Sequence, residues 1–457
     1  MDKKSRMENL ARESHEKGGF NGAWLYAENG EIISKGTAGF CDPANTVPLT
    51  EDSIFQLASV SKQFTAAAVM LTVRKGALSL EDEITKFFPE LPYPGVTVRH
   101  LLTHTGGVPD YFDDADWFIR IWKEEKRVPA NDEILRFLCE TKAKAYFAPG
   151  EGIEYSNTGY NLLALLVERL SGVSYEEFLQ KNIFEPAGMT STRCCHIRRD
   201  GVPFGNYARA SVFENGRYIA DMDSAKVREV TAFDGLNGDD YVFTNILDMY
   251  RWDRALREGK VLTFEEQRLM YTPVKLNNGG EAVFDEEDGL GYGFGWGVGR
   301  DGEFGLIVSH SGGMPGVTTW FERFIDADRV LVLLSNRDPE EYRAFSGFCK
   351  GMQKIARDKE PDLIQTIEDI SVRNPDKSKW ESFCGKYEHP EDEDFVIDEV
   401  FMKDGGLYAN AAAEDYGGFT FRLYPTGENE FGRKGGMLKL TFGNGCVTYA
   451  GFTCKKL

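Results

Sequence analysis

Residues 58–65 read ASVSKQFT, and this stretch opens an apolar run, SKQFTAAAVMLTVRKG, that ends at Lys75 and Gly76. The run is apolar almost all round, so it predicts a buried helix that stops at the glycine. Ser59 and Lys62 stand one helical turn apart at its start, where hydroxyl and amine can meet. Taken alone, the pair is more often an ordinary serine cap followed by an exposed lysine. Because Lys62 begins an apolar helix, however, it is expected to be partly buried, and a buried lysine needs a reason.

The composition is that of a folded protein with an acidic surface. The chain has 457 residues, of which 42% are hydrophobic and 13% aromatic, and this length suggests two or three domains. The formal net charge is −20. A surface this acidic argues against nucleic acid or anionic lipid as a partner, since both bind basic patches.

The sequence shows no targeting or membrane segment. The start, MDKKSRMENLARESHEKGGF, has charges but no apolar run after them, and the longest apolar stretches are too short to span a bilayer. The eight cysteines lack the spacing of a metal site or a disulfide scaffold and are predicted to be reduced thiols. We therefore expect a cytoplasmic protein without a membrane partner. A trimmed signal would leave the same sequence, and the oligomeric state stays open.

Strand-like runs flank a helical middle. Residues 23–40 form two such runs around Asn29-Gly30, a strong hairpin signal. Helices are predicted from about 59 to 190, and strands return between about 290 and 337. The simplest assembly pairs the late strands with the early hairpin in one antiparallel sheet and inserts the helices as a second lobe. This predicts an α+β fold with a cleft between the lobes.

This pattern divides the chain into three predicted segments. Residues 1–355 are predicted to form the α+β domain, with its sheet taken from about 20–40 and 290–337. Residues 356–377 are charged with scattered prolines and are predicted to be a linker. Residues 378–457 alternate in period two around Gly-Asn and Asn-Gly turns, which predicts a small antiparallel β domain, barrel-like if it closes.

A second candidate motif is EGIEYSNTGYNLL, which places Tyr155 and Asn157 just before a helix. Two residues apart in an extended stretch, their side chains can point to the same side. A phenol beside an ammonium group has a lowered pKa and can then serve as a general base. The alternative is a surface turn in which Asn157 caps the next helix.

A third candidate motif is LIVSHSGGMPGVTTW, in which a predicted strand delivers His310, Gly312 and Gly313. A histidine on a strand edge can donate a hydrogen bond or carry a charge, and glycine lets a substrate approach the backbone closely. The N–H groups of Gly313 and Ser59 would give two donors for an oxyanion. The alternative is a core histidine followed by a flexible loop.

The three motifs in this order resemble the superfamily of serine β-lactamases, penicillin-binding proteins and esterases. The resemblance is greatest to the branch with class C β-lactamases, D-alanyl-D-alanine carboxypeptidases and D-stereospecific aminopeptidases. It covers roughly residues 20–340 and includes VTVRHLLTHTGGVPDY, FAPGEGIEYSNTGYNLLALLVERLSG and IFEPAGMTST. It implies a β-lactamase/transpeptidase-like fold. The segment from about residue 378 resembles the lipocalin-like β domains that some of these relatives carry.

The resemblance also implies a role for each motif residue. Ser59 would be the acylated nucleophile, Lys62 its partner and Tyr155 the base, although Lys62 is the alternative base. Asn157, His310 and Gly312 would bind substrate, and the N–H groups of Ser59 and Gly313 would form the oxyanion hole. No metal or organic cofactor is implied, and the substrate would be a small molecule or a short peptide.

One residue departs from the pattern of β-lactamases and carboxypeptidases. They usually have lysine at the position of His310, whereas histidine is typical of the D-aminopeptidase-like and some esterase-like relatives. An unperturbed histidine carries only a partial charge near neutral pH. The sequence therefore favours a serine hydrolase that cleaves an ester, amide or peptide bond, possibly in D-amino acid peptides.

Two other functions stay open. One is a β-lactamase or D,D-carboxypeptidase proper, and the other is a catalytically silent binding or sensor protein on the same fold. Two further features are given structural roles: His104 is expected to pack at a helix end, and the acidic stretch 111–118 is expected to border the cleft.

Overall fold

The computed structural model describes residues 1–214, 216–285, 290–388, 395–413 and 417–457. The stretches 389–394 and 414–416, which belong to the predicted C-terminal β domain, lie outside the described residues.

Each strand before residue 340 pairs antiparallel with its neighbours. They are β1 (Gly22–Glu28), β2 (Glu31–Ala38), β3 (Phe55–Gln56), β4 (Arg193–Cys194), β5 (Ser211–Glu214), β6 (Arg217–Ala220), β7 (Val242–Thr244), β8 (Val283–Asp285), β9 (Leu290–Tyr292), β10 (Gly297–Asp301), β11 (Gly305–Met314), β12 (Val317–Phe324) and β13 (Arg329–Ser335).

The helices mostly lie between β2 and β8. They are α1 (Lys3–Glu16), α2 (Lys62–Arg74), α3 (Val98–Leu102), α4 (Ala115–Arg120), α5 (Asn131–Thr141), α6 (Asn157–Ser171), α7 (Tyr175–Leu179), α8 (Glu185–Ala187), α9 (Ile197–Asp200), α10 (Ile246–Arg257), α11 (Phe264–Met270), α12 (Tyr342–Ala356), α13 (Ile367–Ile370) and α14 (Trp380–Phe383).

The main sheet has the strand order β2-β1-β13-β12-β11-β10-β9-β8 within the described residues. The predicted pairing of the early hairpin with the late strands is confirmed, since β1 pairs with β13 from Gly22 opposite Ser335 to Glu28 opposite Arg329. The turn of the hairpin has left-handed φ angles of 49° and 78° at Asn29 and Gly30, as a two-residue turn requires. The α+β fold class is confirmed.

Both faces of the main sheet are covered. Leu25 of β1 packs in the core shared with the helical lobe, whereas Trp24 and Tyr26 pack against the opposite layer formed by α1 and α12. This separation follows from the period-two alternation of side chains along a strand. The sheet therefore lies between two helical layers.

Two features of the opposite layer differ from the sequence interpretation. The polar start of the chain forms α1, whose buried residues Met7, Leu10 and Ala11 recur at helical spacing. The predicted linker also contributes to the core, because Ile364 and Ile367 are buried. Each segment has a short row of apolar residues, which is buried only when another segment of the folded chain packs against it.

The C-terminal strands form a second, curled sheet, an antiparallel half-barrel. They are β14 (Gly385–Lys386), β15 (Phe395–Lys403), β16 (Gly406–Ala413), β17 (Gly417–Pro425), β18 (Glu430–Gly432), β19 (Lys439–Gly443), β20 (Cys446–Tyr449) and β21 (Phe452–Lys455), in that spatial order. The edges approach each other, since Leu457 N donates to Lys386 O at 2.9 Å. Among the described residues, no helix combines the length and the apolar character needed to cross a bilayer.

Replacement of Phe348 by alanine tests the α12 layer. Phe348 is fully buried, and its ring stacks on Phe20 at 4.0 Å between centroids. We expect Phe348→Ala to lower the free energy of unfolding by about 3–5 kcal/mol, measured by urea denaturation. Tyr342→Ala on the same helix is the control, because Tyr342 is 37% exposed and its loss should cost at most about 0.5 kcal/mol. Equal effects of the two variants would contradict this packing.

Candidate active site

Ser59 lies on a strained turn between β3 and α2. The 3₁₀ turn Ala58–Ser61 leads directly into α2, and Ala58 has a left-handed φ of 49°. A non-glycine residue in this region costs about 1–2 kcal/mol, and such strain is typical of functional sites. The half-buried Ser59 is not a helix cap, because the N-cap residue of α2 is Ser61. The capping alternative for Ser59 is therefore wrong.

Lys62 is fully buried at the first position of α2. Its Nζ donates to Ser59 Oγ at 3.0 Å, to Asn157 Oδ1 at 2.7 Å and to the main-chain oxygen of Asp239 at 3.1 Å. The three acceptors match the three N–H groups of an ammonium ion. A buried ammonium group without such partners would be strongly unfavourable. The arrangement therefore fixes the amine against the Ser59 hydroxyl.

Tyr155 and Asn157 lie on either side of a helix start. Ser156 caps α6 by accepting from Gly159 N at 3.3 Å, and Asn157 is the first residue of the helix. The ring of Tyr155 lies 4.8 Å from Lys62 Nζ, measured to the centroid, within range of a cation–π contact. The fold thus brings Asn157 and the ring of Tyr155 to Lys62, whose amine also contacts Ser59.

His104 holds the Tyr155 segment in place. It follows α3 with a left-handed φ of 58°, and its ring lies 4.4 Å from that of Tyr155 between centroids. Its Nδ1 accepts from Ser156 N at 3.1 Å. Complete burial and the Lys62 charge lower the pKa of His104 well below its usual value, so that its ring is neutral and can accept. The sequence predicted packing at a helix end but missed this support of Tyr155.

His310 is neutral and turned inward, which differs from the partial charge expected from the sequence. Burial first, and the Lys62 ammonium second, lower the pKa of His310 to about 4. Nδ1 lies 2.5 Å from Ser311 O and Nε2 lies 2.9 Å from Tyr292 Oη. Because the carbonyl can only accept, Nδ1 carries the proton and Nε2 accepts from the tyrosine. Both ring nitrogens are thus occupied within the protein, whereas the neighbouring Ser311 is exposed.

Gly312 allows β11 to approach the Ser59 turn. A Cβ atom at Gly312 would lie 2.3 Å from both Leu57 O and Thr319 Oγ1, and the same threonine hydroxyl donates to Leu57 O at 2.7 Å. A Cβ at Gly313 would meet open space. Gly312 is therefore required for contact between the strand and the turn, while the main chain of Gly313 lies at an exposed position beside them.

Asp239 was not identified from the sequence. Its main-chain oxygen accepts from Lys62, and its carboxylate accepts from Asn161 Nδ2 at 2.6 Å and Tyr111 Oη at 3.0 Å. A main-chain acceptor leaves no sequence signal, because any residue supplies it. The acidic pair at 239 and 240 before a strand was the one available hint.

Two more carboxyl groups lie near Lys62. Burial raises the pKa of Asp110 and of Asp240 to about 6, and in both cases Asp239 raises it further while Lys62 lowers it. At pH 7 Asp110 and Asp240 are therefore mostly ionised, and both add negative charge near the amine of Lys62. No group of three or more His, Cys, Asp or Glu side chains in the described part of the chain is placed to hold a metal ion.

Comparison with known proteins confirms the family resemblance of the sequence. A family model described as beta-lactamase matches residues 7–346. The chain is similar to "Penicillin-binding protein 4*" of Bacillus subtilis (strain 168), with 34% identity over 433 residues, which cover 94% of this chain and 91% of that protein.

Two solved structures share the fold. The octameric penicillin-binding protein homologue from Pyrococcus abyssi is 22% identical with a TM-score of 0.66, covering 99% of both chains. The D-amino acid amidase from Ochrobactrum anthropi SV3 is 24% identical with a TM-score of 0.62, covering 77% of this chain and 95% of that chain.

Substitution of Gly312 tests the contact between β11 and the Ser59 turn. The new methyl group of Gly312→Ala would displace the strand from the turn, and a misplacement of about 1 Å can cost about 10²-fold in rate. We expect kcat/KM for an ester substrate to fall by that order. Gly302→Ala is the control, since a Cβ there meets nothing within 4 Å. A folded Gly312→Ala enzyme with unchanged kcat/KM would contradict this geometry.

The charge of His310 is tested by ¹⁵N NMR of the imidazole nitrogens. With a pKa of about 4, His310 should keep the shifts of a neutral ring protonated at Nδ1 from pH 8 down to pH 5.5. Its signals are assigned by their loss in His310→Gln. The same ring in urea-unfolded protein should titrate near the ordinary value of about 6.5. A midpoint near that value in the folded protein would show that His310 is not held neutral.

Proposed function

The chain is a serine hydrolase that belongs to the beta-lactamase family, and we propose that it works through an acyl-enzyme on Ser59. The observation that carries the proposal is the fully buried Lys62, whose ammonium group contacts Ser59 Oγ at 3.0 Å. The contact places the amine where it can activate the Ser59 hydroxyl, which a protein that only binds ligands does not require.

In the first step, Ser59 Oγ attacks the carbonyl carbon of the substrate while its proton passes to Tyr155, which acts in its phenolate form and becomes a phenol. We assign the base to Tyr155 because Lys62 Nζ is placed as a donor, with its three N–H groups matched by three acceptors. The negative charge that develops on the carbonyl oxygen is stabilised by the N–H groups of Ser59 and Gly313.

In the second step, the tetrahedral intermediate collapses. Tyr155 returns the proton to the leaving nitrogen or oxygen, the bond from the carbonyl carbon to the leaving group breaks, and the acyl group stays on Ser59. Water then attacks the ester with Tyr155 again as the base, and the proton returns to Ser59 as the acid product leaves. The cycle consumes only substrate and water.

The bond cleaved is proposed to be an amide or ester whose leaving group has no carboxylate. The neutral His310 offers no fixed positive charge beside Ser311, and buried Asp110 and Asp240 add negative charge to the site. Substrates of this kind include D-amino acid amides, in keeping with the name of one structural neighbour.

Acylation by penicillin is the second candidate function, and the name of the relative with 34% identity favours it. Penicillins carry a carboxylate, which the neutral His310 would not stabilise. We therefore expect penicillin to acylate Ser59 slowly if at all, and to be a poor substrate.

Hydrolysis of a panel of substrates tests the proposed function. The panel contains p-nitrophenyl acetate, D- and L-amino acid amides and benzylpenicillin. We expect turnover of the ester and of an amide, and loss of at least about 10³-fold in kcat for Ser59→Ala and Tyr155→Phe, because each removes a group that acts in the chemical step.

Ser79→Ala is the matched control, because Ser79 is an exposed serine outside the site. Turnover of penicillin above that of the amides would instead favour the β-lactamase alternative. No turnover, or turnover that survives in Ser59→Ala, would remove the proposed function.

A further inference from the structure

The loop that leads into β7 presents a buried carboxyl group beside the catalytic lysine. Asp239 contributes its main-chain oxygen to Lys62, and the next residue, Asp240, is only 7% exposed. Tyr241 then adopts a left-handed φ of 72°. Such strain in a buried tyrosine persists only where the surrounding structure enforces it, so the orientation of Asp240 is fixed by the fold.

Gln56 supplies a second polar group at the same place. Its Nε2 donates to Asp240 Oδ2 at 3.1 Å, which fixes the orientation of the amide because the carboxylate must accept. Gln56 is 2% exposed, and its Oε1 has no hydrogen-bond partner among the residues that the structure describes. Since both atoms belong to one planar amide, this oxygen lies beside the Asp240 carboxylate. A buried acceptor without a donor is costly unless a ligand supplies one.

The position of these groups relative to the reacting bond follows from the mechanism. Tyr155 is the residue that protonates the leaving group, and the centroid of its ring lies 6.3 Å from the centroid of the His310 ring. The leaving group therefore lies toward His310, in the middle of β11. Gln56 lies at the C-terminal end of this strand, with Nε2 at 3.1 Å from Met314 Sδ. The acyl part of the substrate thus extends toward Gln56 and Asp240.

The charge of the site indicates what the acyl part carries. Asp110, Asp239 and Asp240 are all buried, with exposures of 7%, 3% and 7%, and the ammonium group of Lys62 lies among them. The carboxylate of Asp239 accepts from two side chains, whereas that of Asp240 accepts from one side chain, Gln56, and from the N–H of Tyr241. A cation with several N–H donors would satisfy both Asp240 and the unpartnered Gln56 oxygen.

We propose that Asp240 and Gln56 bind a free ammonium group on the acyl part of the substrate. The enzyme then acts on amides or esters of amino acids, or on peptides, whose amino group is unblocked. Acylation of that amino group removes the charge and the donors, so a blocked substrate loses the contact. This inference rests on the proposed Ser59 hydrolase, whose failure would be seen separately.

The experiment compares the p-nitroanilides of D- and L-phenylalanine with their N-acetylated forms. For the preferred enantiomer, we expect the wild type to favour the free amine in kcat/KM. Asp240→Asn should reduce kcat/KM for the free amine by about 10- to 100-fold, the range for losing one hydrogen bond to a charged group. The acetylated form and p-nitrophenyl acetate, which has no amino group, should change by less than about threefold.

Two further variants test whether the loss depends on the Gln56 oxygen and on the position of the carboxylate. Gln56→Met, which removes the unpartnered oxygen at similar volume, should reproduce the selective loss. Asp223→Asn removes an exposed carboxylate in the same segment and should change neither substrate. Unchanged hydrolysis of p-nitrophenyl acetate shows that each variant is folded and that Ser59 still reacts.

Either of two results would overturn the inference. One is equal cleavage of free and acetylated substrates by the wild type, and the other is an equal loss on both in Asp240→Asn. If p-nitrophenyl acetate turnover survives in Ser59→Ala, the proposed function fails instead, and the two failures are thereby distinguished.

Discussion

The burial of one ammonium group is the constraint on which the site depends. Lys62 is fully buried, and a buried cation is tolerated only where its donors and charge are satisfied. Its acceptors come from three separate elements: the turn before α2, the start of α6 and the loop before β7. The hydrogen bonds of Lys62 therefore form only when the sheet and the helical lobe close around it. The same closure brings Tyr155 to Lys62 and β11 to the turn that carries Ser59.

The charge balance around Lys62 supports the proposed direction of specificity. A lysine at the position of His310 would place a second cation near the leaving group, whereas the buried histidine is neutral. At the C-terminal end of β11, Asp240 and Gln56 place acceptors near the acyl group. The site is thus poor in positive charge where a substrate carboxylate would bind and rich in negative charge where an amine would bind. This distribution of charge supports the proposed recognition of a free amine rather than a carboxylate.

Local patterns were enough to predict the main sheet, α2 and the three motifs. The two-residue turn at Asn29-Gly30 and the apolar run after Ser59 each specify their structure without help from distant residues. Other features arise only when distant segments meet. The apolar residues of α1 are buried only because α12 packs against them. Asp239 contacts Lys62 through a main-chain oxygen, which no pattern of side chains reveals. His310 is neutral because it is buried, and no local sequence pattern records that burial.

Covalent labelling of Ser59 tests whether the buried Lys62 activates this serine. The wild type, Ser59→Ala and Lys62→Met are exposed to a fluorophosphonate, and the adduct is followed over time by intact-protein mass spectrometry and mapped by peptide digestion. We expect one adduct on the wild type, located on the peptide with Ser59, and none on Ser59→Ala. Labelling of Lys62→Met should be slowed by about 10²-fold or more. Labelling elsewhere, or Lys62→Met reacting at the wild-type rate, would show that the buried lysine does not activate this serine.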